Sequence, residues 1–395
     1  MDLLRSQKRY VPASVTIAIL RQTFALSSIS WMRYIMNDLT RPLNKHKPYI
    51  HEVQSDAWSG CWIGKDVASC SEREMQDRIK SADVIIFNVH GGGFLVGTPT
   101  MYMDSNIRCL ENLENMGKRA LIMSVKYGLA PEYRYPTPVD TTIKAYQHLL
   151  QDLKVPASKI IVTGDSAGGA IILEMLVVTS NPEKYTAVTT EGQVATPSVP
   201  KLSRPAGMIL VSPLCSNDSE TGTWITNEKY DYITRKTSQS VRTNYFPPDT
   251  DETKHRLFGI LQETGGFKAW MPRYNLVYLG GRESMREMGE QFVAKTSKDG
   301  ADVELYLEEE QVHDWFNVPE VVSDKTVLDR AHARWTDFVV KAVSEAVNQE
   351  TENGVSDGAI GNKIPIRDAV EVVPNRDTDK ALDALRHHGN ADLRA

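Results

Sequence analysis

Five short stretches of the chain are almost wholly apolar and end at glycine, proline or charged residues. Each is roughly six to eight residues long, and its apolar residues are continuous instead of alternating with polar ones, which is typical of strands buried on both faces of a parallel sheet. The five stretches are DVIIFNVHG, KRALIMSVKYG, SKIIVTGDS, PAGMILVSP and RYNLVYLGG.

Between these stretches the apolar residues recur at helical spacing, as in residues 138–150 and 167–178. A repeated order of strand, helix and strand predicts an α/β protein. We expect a mainly parallel central sheet with helices on both faces.

The first 50 residues form a separate segment with apolar residues at near-helical spacing and polar residues between them. A helix packed on the body of the protein is the simplest interpretation. A lid over an apolar pocket and a helix that touches a membrane remain open. The residues that carry this spacing are Ile17, Leu20, Phe24, Trp31 and Ile35.

Three later segments depart from the α/β pattern. Residues 181–205 are polar and predict a surface insertion, and residues 217–271 predict a helical excursion that caps the fold. From residue 347 the chain is polar, with one helix-like piece at 378–386. The predicted organisation is a cap or lid segment (1–50), a catalytic domain (51–346, with the cap insertion 217–271) and a polar tail (347–395).

Charge and cysteine content narrow the partners and the compartment. The 395 residues include 45 Lys and Arg against 51 Asp and Glu, a formal charge of −6. Without a basic run, we expect no nucleic-acid partner. No stretch reaches the length of a membrane span or forms a convincing signal peptide, which predicts a cytoplasmic protein. An uncovered sheet edge is compatible with a homodimer. The cysteines lack metal-ligand spacing, and a reduced, intracellular protein is the simplest account of them: Cys61, Cys70, Cys109 and Cys215. We expect no metal and no cofactor.

The sequence GDSAGG follows the third apolar stretch and precedes a helical pattern. Gly164, Ser166 and Gly168 give Gly-x-Ser-x-Gly in a strand–turn–helix context, which predicts a nucleophile elbow. Such a turn exposes the serine hydroxyl at the carboxyl end of the sheet. A merely structural turn would account for the glycines but not for the serine.

The sequence HGGG, His90 to Gly93, ends the first apolar stretch. Glycine loses the most conformational entropy on folding, so three in a row need a reason. The spacing matches neither phosphate-binding glycine motif. With an elbow predicted, bare backbone N–H groups that stabilise an oxyanion are the better reason, and the N–H of Ala167 completes the set. We expect His90 to brace this loop by hydrogen bonding.

A serine nucleophile needs a base. In folds built around a nucleophile elbow, the acid and the histidine follow the serine in sequence. His313 lies on a loop after a predicted strand at 303–307, where such a base belongs. His332 lies in a helical pattern, and His387 and His388 lie in the polar tail. His313 is therefore the candidate base.

The acid is expected on the loop after the preceding strand, where Glu283 stands just before a helix. Glu287 and Glu290 lie further into that helix, and Asp314 is too close to His313 in sequence to orient its ring. Glu283 is the candidate that holds the tautomer of His313 and stabilises its imidazolium. A carboxylate that only favours the helix N-terminus is the alternative.

The motifs HGGGF, YGLAPEYRYPTPVD, GDSAGG, SPL, GGRES and HDWF resemble the hormone-sensitive-lipase branch of the α/β-hydrolase carboxylesterases, over residues 84–341. The overall style is similar to that of fungal members. The resemblance implies an α/β-hydrolase fold. Two departures are Glu283, where many members have Asp, and Thr141, where an Asp often follows the proline-rich motif. The positions that the resemblance implies are Ser166, Glu283 and His313 for catalysis, Gly92, Gly93 and Ala167 for the oxyanion, and Tyr127, Pro131, Glu132 and Pro136 for structure.

The sequence thus predicts a metal-free serine hydrolase that cleaves a small-molecule carboxylic ester, apolar and of small to medium size, through an acyl-enzyme. Two alternatives stay open: a natural-product hydrolase, thioesterase or cyclase that uses the same Ser-His-Glu site, and a ligand receptor on the same scaffold. His90 and Gly91 are assigned to the structure of the glycine loop. The expected pocket residues are Phe94, Asp165, Trp315 and Phe316.

Overall fold

The computed structural model describes residues 11–182, 187–188, 194–195, 199–216, 218–220, 222–247, 261 and 265–355. The chain divides into two compact units, Met1–Val347 and Asn348–Ala395. The candidate site lies in the first unit.

Eight strands of the described chain form one sheet, in the order β1 (Ile50–Gln54), β2 (Ser59–Ile63), β4 (Ala120–Val125), β3 (Val84–Val89), β5 (Ile160–Asp165), β8 (Gly207–Val211), β9 (Tyr274–Gly280) and β10 (Asp302–Glu308). Strand β2 pairs antiparallel with β1 and β4, and all other pairs are parallel. The predicted α/β fold with a mainly parallel sheet is confirmed. Strands β6 (Ala187–Val188) and β7 (Val194–Ala195) form a separate antiparallel hairpin.

Helices connect these strands. The described helices are α1 (Ala13–Leu26), α2 (Ile29–Thr40), α3 (Glu72–Ser81), α4 (Met103–Asn115), α5 (Thr137–Gln151), α6 (Ser166–Ser180), α7 (Thr223–Thr226), α8 (Arg235–Tyr245), α9 (Phe267–Trp270), α10 (Arg286–Lys298) and α11 (Lys325–Val355). Short 3-10 helices lie at Asn44–Tyr49, Val67–Ser69, Ala157–Lys159 and Pro319–Val321.

The register of the parallel strands brings the loops that carry the motifs to one edge. Val89 at the end of β3 lies opposite Gly164 of β5, and Asp165 lies opposite Val211 of β8. The last residues of β9 and β10 are also paired. The loops that follow β3, β5, β9 and β10 therefore leave the sheet at its carboxyl edge, where ligands bind in open α/β sheets.

The core explains why the five apolar stretches were recognisable. Every residue of β3 and of β9 is buried, because helices cover both faces of the central strands. Helix α6 is apolar around nearly its whole circumference and is buried to match. Strands β1 and β2 were not predicted, since their burial is only partial and their residues are mixed.

The N-terminal segment forms two helices instead of one. Helix α1 ends at Leu26 and α2 begins at Ile29, with the Ser28 side chain accepting a hydrogen bond from the Trp31 amide. The break resets the helical phase. Leu20 and Phe24 are buried as predicted, whereas Trp31 is 61% exposed and Met32 and Met36 take the inner positions of α2.

The other predicted segments are only partly described. The insertion at 181–205 includes the hairpin β6–β7, and the excursion at 217–271 includes α7, α8 and α9. Helix α11 continues beyond residue 346, the end of the predicted catalytic domain, to Val355. The helix-like piece at 378–386 lies outside the described residues. None of the helices in the described part of the chain combines the length and the apolar character needed to cross a bilayer.

Candidate active site

A cavity of about 250 Å³ lies at the carboxyl edge of the sheet. Ser166, His313 and the two glycines Gly92 and Gly93 all contribute to its wall. Residues that are far apart in sequence, on loops after three different strands, are therefore brought together around one space.

Ser166 occupies the turn between β5 and α6 with a backbone φ of +48°, in the left-handed region that non-glycine residues rarely adopt. The turn is tight because a Cβ atom at Gly164 would lie 2.7 Å from the backbone of Gly168. A Cβ atom at Gly168 would lie 2.1 Å from the carbonyl oxygen of Val89. These glycines let the strand and helix pack closely, which places Ser166 at the cavity.

His313 lies on the loop after β10, and its Nδ1 atom is 3.3 Å from Oε2 of Glu283. Both side chains are buried, and Glu283 also accepts a hydrogen bond from the backbone N–H of Gly280 at 3.2 Å. The contact at Nδ1 leaves Nε2 of His313 for another partner. Glu283 therefore stands in the orienting position expected for the acid.

The electrostatic surroundings of His313 favour its charged form. Burial by itself lowers the pKa of this imidazole, but the hydrogen bond and the charge of Glu283 act against burial, as do the charges of Asp231 and Asp165. The net result is a raised pKa. A base in this setting is well suited to hold a proton for a short time.

Asp231 is a residue of this site that sequence reasoning missed. Its Oδ1 atom accepts hydrogen bonds from the backbone N–H of His313 at 3.2 Å and of Tyr232 at 2.8 Å. Its Oδ2 atom accepts one from the N–H of Ser284 at 2.7 Å. The carboxylate thus joins the loop of the base to the loop of the acid, and burial raises its pKa to about 6.

The glycine loop after β3 is shaped by close backbone contacts. Gly92 and Gly93 have φ values of +100° and +61°. A Cβ atom would lie 2.3 Å from the carbonyl oxygen of Val96 if placed on Gly92, and 2.1 Å from the Asp165 carboxylate if placed on Gly91. Side chains are therefore excluded from this loop.

Hydrogen bonds hold the same loop in place. The N–H of Gly91 donates to Oδ1 of Asp165 at 2.9 Å, which joins the loop to the turn of the candidate nucleophile. The Tyr127 hydroxyl donates to the carbonyl of His90 at 2.7 Å and lies 3.1 Å from that of Gly91. The loop is thereby fixed before any ligand arrives.

His90 itself is buried and stacked on Tyr127 with ring centroids 4.4 Å apart. Its Nδ1 atom lies 2.9 Å from the carbonyl oxygen of Gly91, and burial lowers its pKa to about 4. His90 is not among the residues that line the cavity. Its position fits the expected bracing role.

Three of the four expected pocket residues do not line the cavity. Phe94 is fully buried and stacks on Tyr245 with centroids 3.7 Å apart, because its φ of +61° turns the side chain into the core. Trp315 and Phe316 pack in the core beside Tyr278. Only Asp165 of the four lines the cavity.

The N-terminal helices also contribute to the wall of the cavity. Leu20 and Phe24 of α1 and Met32 and Met36 of α2 line the cavity. Of these four, Leu20 and Phe24 belong to the helical spacing recognised in the sequence, whereas Met32 and Met36 do not. The helical spacing of apolar residues is the sequence signal that identifies these helices.

Arg33 attaches this wall to the loops that follow β3 and β4. It donates to the carbonyl oxygens of Leu95 at 2.8 Å and Ala130 at 2.6 Å, and binds both carboxylate oxygens of Glu132 at 2.9 and 2.7 Å. Leu95 lies two residues beyond Gly93. Helix α2 is therefore bonded to the loop that continues from the candidate oxyanion donors.

A family model described as an alpha/beta hydrolase fold matches residues 86–317, which is more than half of the chain. The chain belongs to this α/β-hydrolase family.

Solved structures share this fold. An esterase from the bacterial hormone-sensitive lipase family superimposes on this α/β hydrolase with a TM-score of 0.64 at 20% identity, over 84% of this chain and 98% of the solved one. This likeness establishes the fold.

Curated relatives include an esterase from Acinetobacter venetianus, 26% identical over 58% of this chain and 65% of the relative. Another is arylacetamide deacetylase from Rattus norvegicus, 26% identical over 44% of this chain and 40% of the relative. The α/β hydrolase thus spans less than two thirds of the length of either relative.

Proposed function

We propose that this α/β hydrolase cleaves carboxylic esters of small to medium size through an acyl-enzyme formed on Ser166. The observation that carries the proposal is the shared cavity: Ser166, on its strained turn, and His313, bound to the buried Glu283, face the same space. The relatives named esterase and deacetylase support the reaction class.

The first half of the reaction forms the acyl-enzyme. The Oγ atom of Ser166 attacks the acyl carbon while Nε2 of His313 takes its proton. The N–H groups of Gly92, Gly93 and Ala167 receive the oxyanion. The buried carboxylate of Glu283 holds the imidazole in orientation and stabilises its charged form.

The second half returns the enzyme to its starting state. His313 gives its proton to the departing alcohol as the tetrahedral intermediate collapses. A water molecule, activated by the same imidazole, then attacks the acyl-enzyme and releases the acid.

The cavity wall supports an apolar substrate. Helices α1 and α2 present Leu20, Phe24, Met32 and Met36, and methionine adapts readily to irregular ligands. We infer that the N-terminal segment acts as the cap of the catalytic domain. Because the cavity extends from Ser166 as far as Thr16 of α1, a bulky natural-product ester or lactone is the second candidate substrate.

A p-nitrophenyl ester series from acetate to decanoate tests the proposal. Ser166→Ala is expected to lower kcat by at least about 10³-fold, since the nucleophile and base act as a unit. Ser69→Ala, which removes an exposed serine hydroxyl, is the matched control and is expected to behave as wild type.

Thermal melts of both variants establish that they are folded. Retained hydrolysis by folded Ser166→Ala would refute the serine mechanism. A wild-type protein that hydrolyses none of the series, but whose Ser166 is labelled by a fluorophosphonate, would favour the bulky substrate over the simple esters.

A further inference from the structure

Asp314, the residue after the candidate base, is a buried carboxyl group in an unusual backbone conformation. Its φ is +54°, where glycine is the unstrained choice, and its side chain is 3% exposed. Its backbone N–H donates to Oγ of Ser212 at 3.0 Å, and its Oδ1 atom accepts from Nδ2 of Asn317 at 2.9 Å. Neither contact requires Asp314 to have an acidic side chain.

The second carboxyl oxygen of Asp314 shares a hydroxyl group with another acid. The Tyr102 oxygen lies 2.7 Å from Oδ2 of Asp165 and 2.8 Å from Oδ2 of Asp314. A phenol has one hydrogen to donate. Only one of the two short contacts can therefore use the hydrogen of Tyr102, and the other is a hydrogen bond only if that carboxyl group is protonated.

Because these groups are buried, a missing hydrogen bond among them costs free energy. Tyr102, Asp165 and Asp314 are all buried, and two ionised carboxylates side by side in a poorly solvated place repel one another. A single retained proton removes the repulsion and supplies the missing hydrogen. The chain of donors is then complete: Asp314 to Tyr102, and Tyr102 to Asp165.

The surroundings indicate which acid holds the proton. Burial raises the pKa of Asp165 to about 6, but the hydroxyl of Tyr102, the N–H of Gly91 at 2.9 Å and the charge of His313 all act to lower it. Burial, followed by the charge of Asp165, raises the pKa of Asp314 well above its ordinary value. The proton therefore resides on Asp314.

The other titratable groups around the pair come from several elements. Tyr127 faces Asp165 from the loop after β4. Tyr232 faces both acids from the segment before α8, and it also faces Asp231 and Glu283. Neither tyrosine is a cation that would favour a second negative charge. The charge of His313 acts on Asp165, where it favours the ionised form.

We propose that Asp314 is a positioning residue that keeps a proton in the resting protein and, through Tyr102 and Asp165, ties the loop of His313 to the glycine loop at Gly91. The activity consequences rest on the proposed function, whereas the retained proton does not. Raising the pH removes the proton, charges both acids and loosens the connection between the base and the oxyanion donors.

Two substitutions of Asp314 distinguish the effect of its proton from the effect of losing its side chain. Asp314→Asn supplies a neutral amide that donates to Tyr102 as the acid does, and Asp314→Gly removes the side chain where glycine fits the backbone. We expect Asp314→Gly to lower kcat about tenfold with little change in KM, consistent with loss of a buried hydrogen bond. We expect Asp314→Asn to restore most of this loss and to keep its kcat at alkaline pH, where wild-type kcat falls.

A matched control is available in Asp66, which also has a left-handed backbone, with φ of +57°, but is exposed. Asp66→Asn is expected to keep the wild-type pH profile. If Asp314→Asn declines at alkaline pH as wild type does, or if Asp314→Gly keeps wild-type kcat, the proposal is overturned.

Thermal melts across about pH 5 to pH 10 test the proton without substrate. The pKa of Asp314 is raised by folding, so the stability that its proton supports is present at low pH and is lost as pH rises through the folded-state pKa. Wild-type Tm should therefore fall relative to that of Asp314→Asn at alkaline pH. Parallel Tm curves would refute the retained proton, while an inactive wild type with diverging curves would refute only the proposed function.

Discussion

The loops at the carboxyl edge of the sheet and the two N-terminal helices line the same cavity, but they are held very differently. The glycine loop is fixed by the bond from Gly91 to Asp165 and by Tyr127. The base and acid loops are joined by Asp231. Each of these contacts is buried.

The polar attachments of the helical wall are exposed or only partly buried, and the wall also exposes large apolar side chains. Trp31 and Tyr34 of α2 are 61% and 67% exposed, and Ile19 of α1 is 49% exposed although it lines the cavity. Its polar connections to the body include the bonds of Arg33 and one from Arg21 to the carbonyl of Lys229. Regions with few buried contacts open locally at low free-energy cost.

This difference indicates that one part of the molecule, the carboxyl edge of the sheet, performs the reaction, and that another part, the N-terminal helices, determines the range of substrates. The sheet fixes the positions of Ser166, His313 and the glycine loop through close packing. The helices set the shape of the space beside them. Changes at the sheet should therefore act on kcat, and changes at the helices on KM and on the preferred acyl length.

Among the residues that hold the reacting groups in place, the largest effect is expected at Gly92. Its φ is +100°, and the Cβ atom of alanine would lie 2.3 Å from the carbonyl oxygen of Val96, so Gly92→Ala must displace the loop. Moving one oxyanion donor out of place costs about 10²- to 10³-fold in kcat. Steady-state kinetics on p-nitrophenyl acetate measure this loss.

Gly117→Ala is the matched control, because Gly117 also has a positive φ of +71° but no atom lies within 4 Å of an added Cβ. It introduces similar backbone strain away from the site. If Gly92→Ala and Gly117→Ala lower kcat equally, close packing of the loop is not what supports the reaction.

A smaller effect is expected at Asp231. Its charge helps to raise the pKa of His313, so Asp231→Asn should lower that pKa and shift the acidic limb of kcat/KM to lower pH. The asparagine amide cannot accept all three backbone hydrogen bonds, which should lower kcat about tenfold. The pH profile of kcat/KM measures both changes.

Asp302→Asn, at an exposed residue of β10, is the control for a general loss of negative charge. It should leave the acidic limb in place. An acidic limb that stays in place in Asp231→Asn would show that the aspartate holds the loops together without tuning the base.

The sequence could predict features that a short stretch of residues determines, and it could not predict features that depend on contacts between distant segments. The five buried strands are local apolar runs, and the turns at Ser166 and Gly92 are local glycine patterns, so both could be recognised. Glu283 and His313 followed from strand order, and the structure brings them together at 3.3 Å.

The missed features depend on contacts between distant segments. Asp231 lies 82 residues from His313, in a polar stretch with no motif, and only the folded chain reveals its position. Phe94, Trp315 and Phe316 are aromatic residues beside the motifs, but the motif does not state whether they turn to the cavity or to the core. The break before Ile29 likewise changes the helical phase, so that Met32 and not Trp31 lies on the inner face of α2.

The smallest effect, and the sharpest test of the comparison, is expected at Arg33. Arg33→Ala removes the bonds to Leu95, Ala130 and Glu132 that attach the helical wall. The Glu132 side chain is 56% exposed, so that ion pair contributes at most about 1 kcal/mol, and only a small fall in Tm is expected. A looser wall should raise KM for long-chain esters severalfold while kcat for the acetate changes little, as measured across the ester series.

Arg119→Ala is the matched control, since Arg119 makes a two-point contact with Asp83 at the start of β3, at the edge of the sheet opposite the cavity. It should lower Tm by a similar small amount without changing the chain-length preference. Because Leu95 follows the glycine loop so closely, a fall in kcat for acetate equal to that for decanoate in Arg33→Ala would mean that the wall also positions the oxyanion donors. Arg33 would then support both the catalytic rate and the substrate range. The two regions would not act independently, because this one side chain couples them.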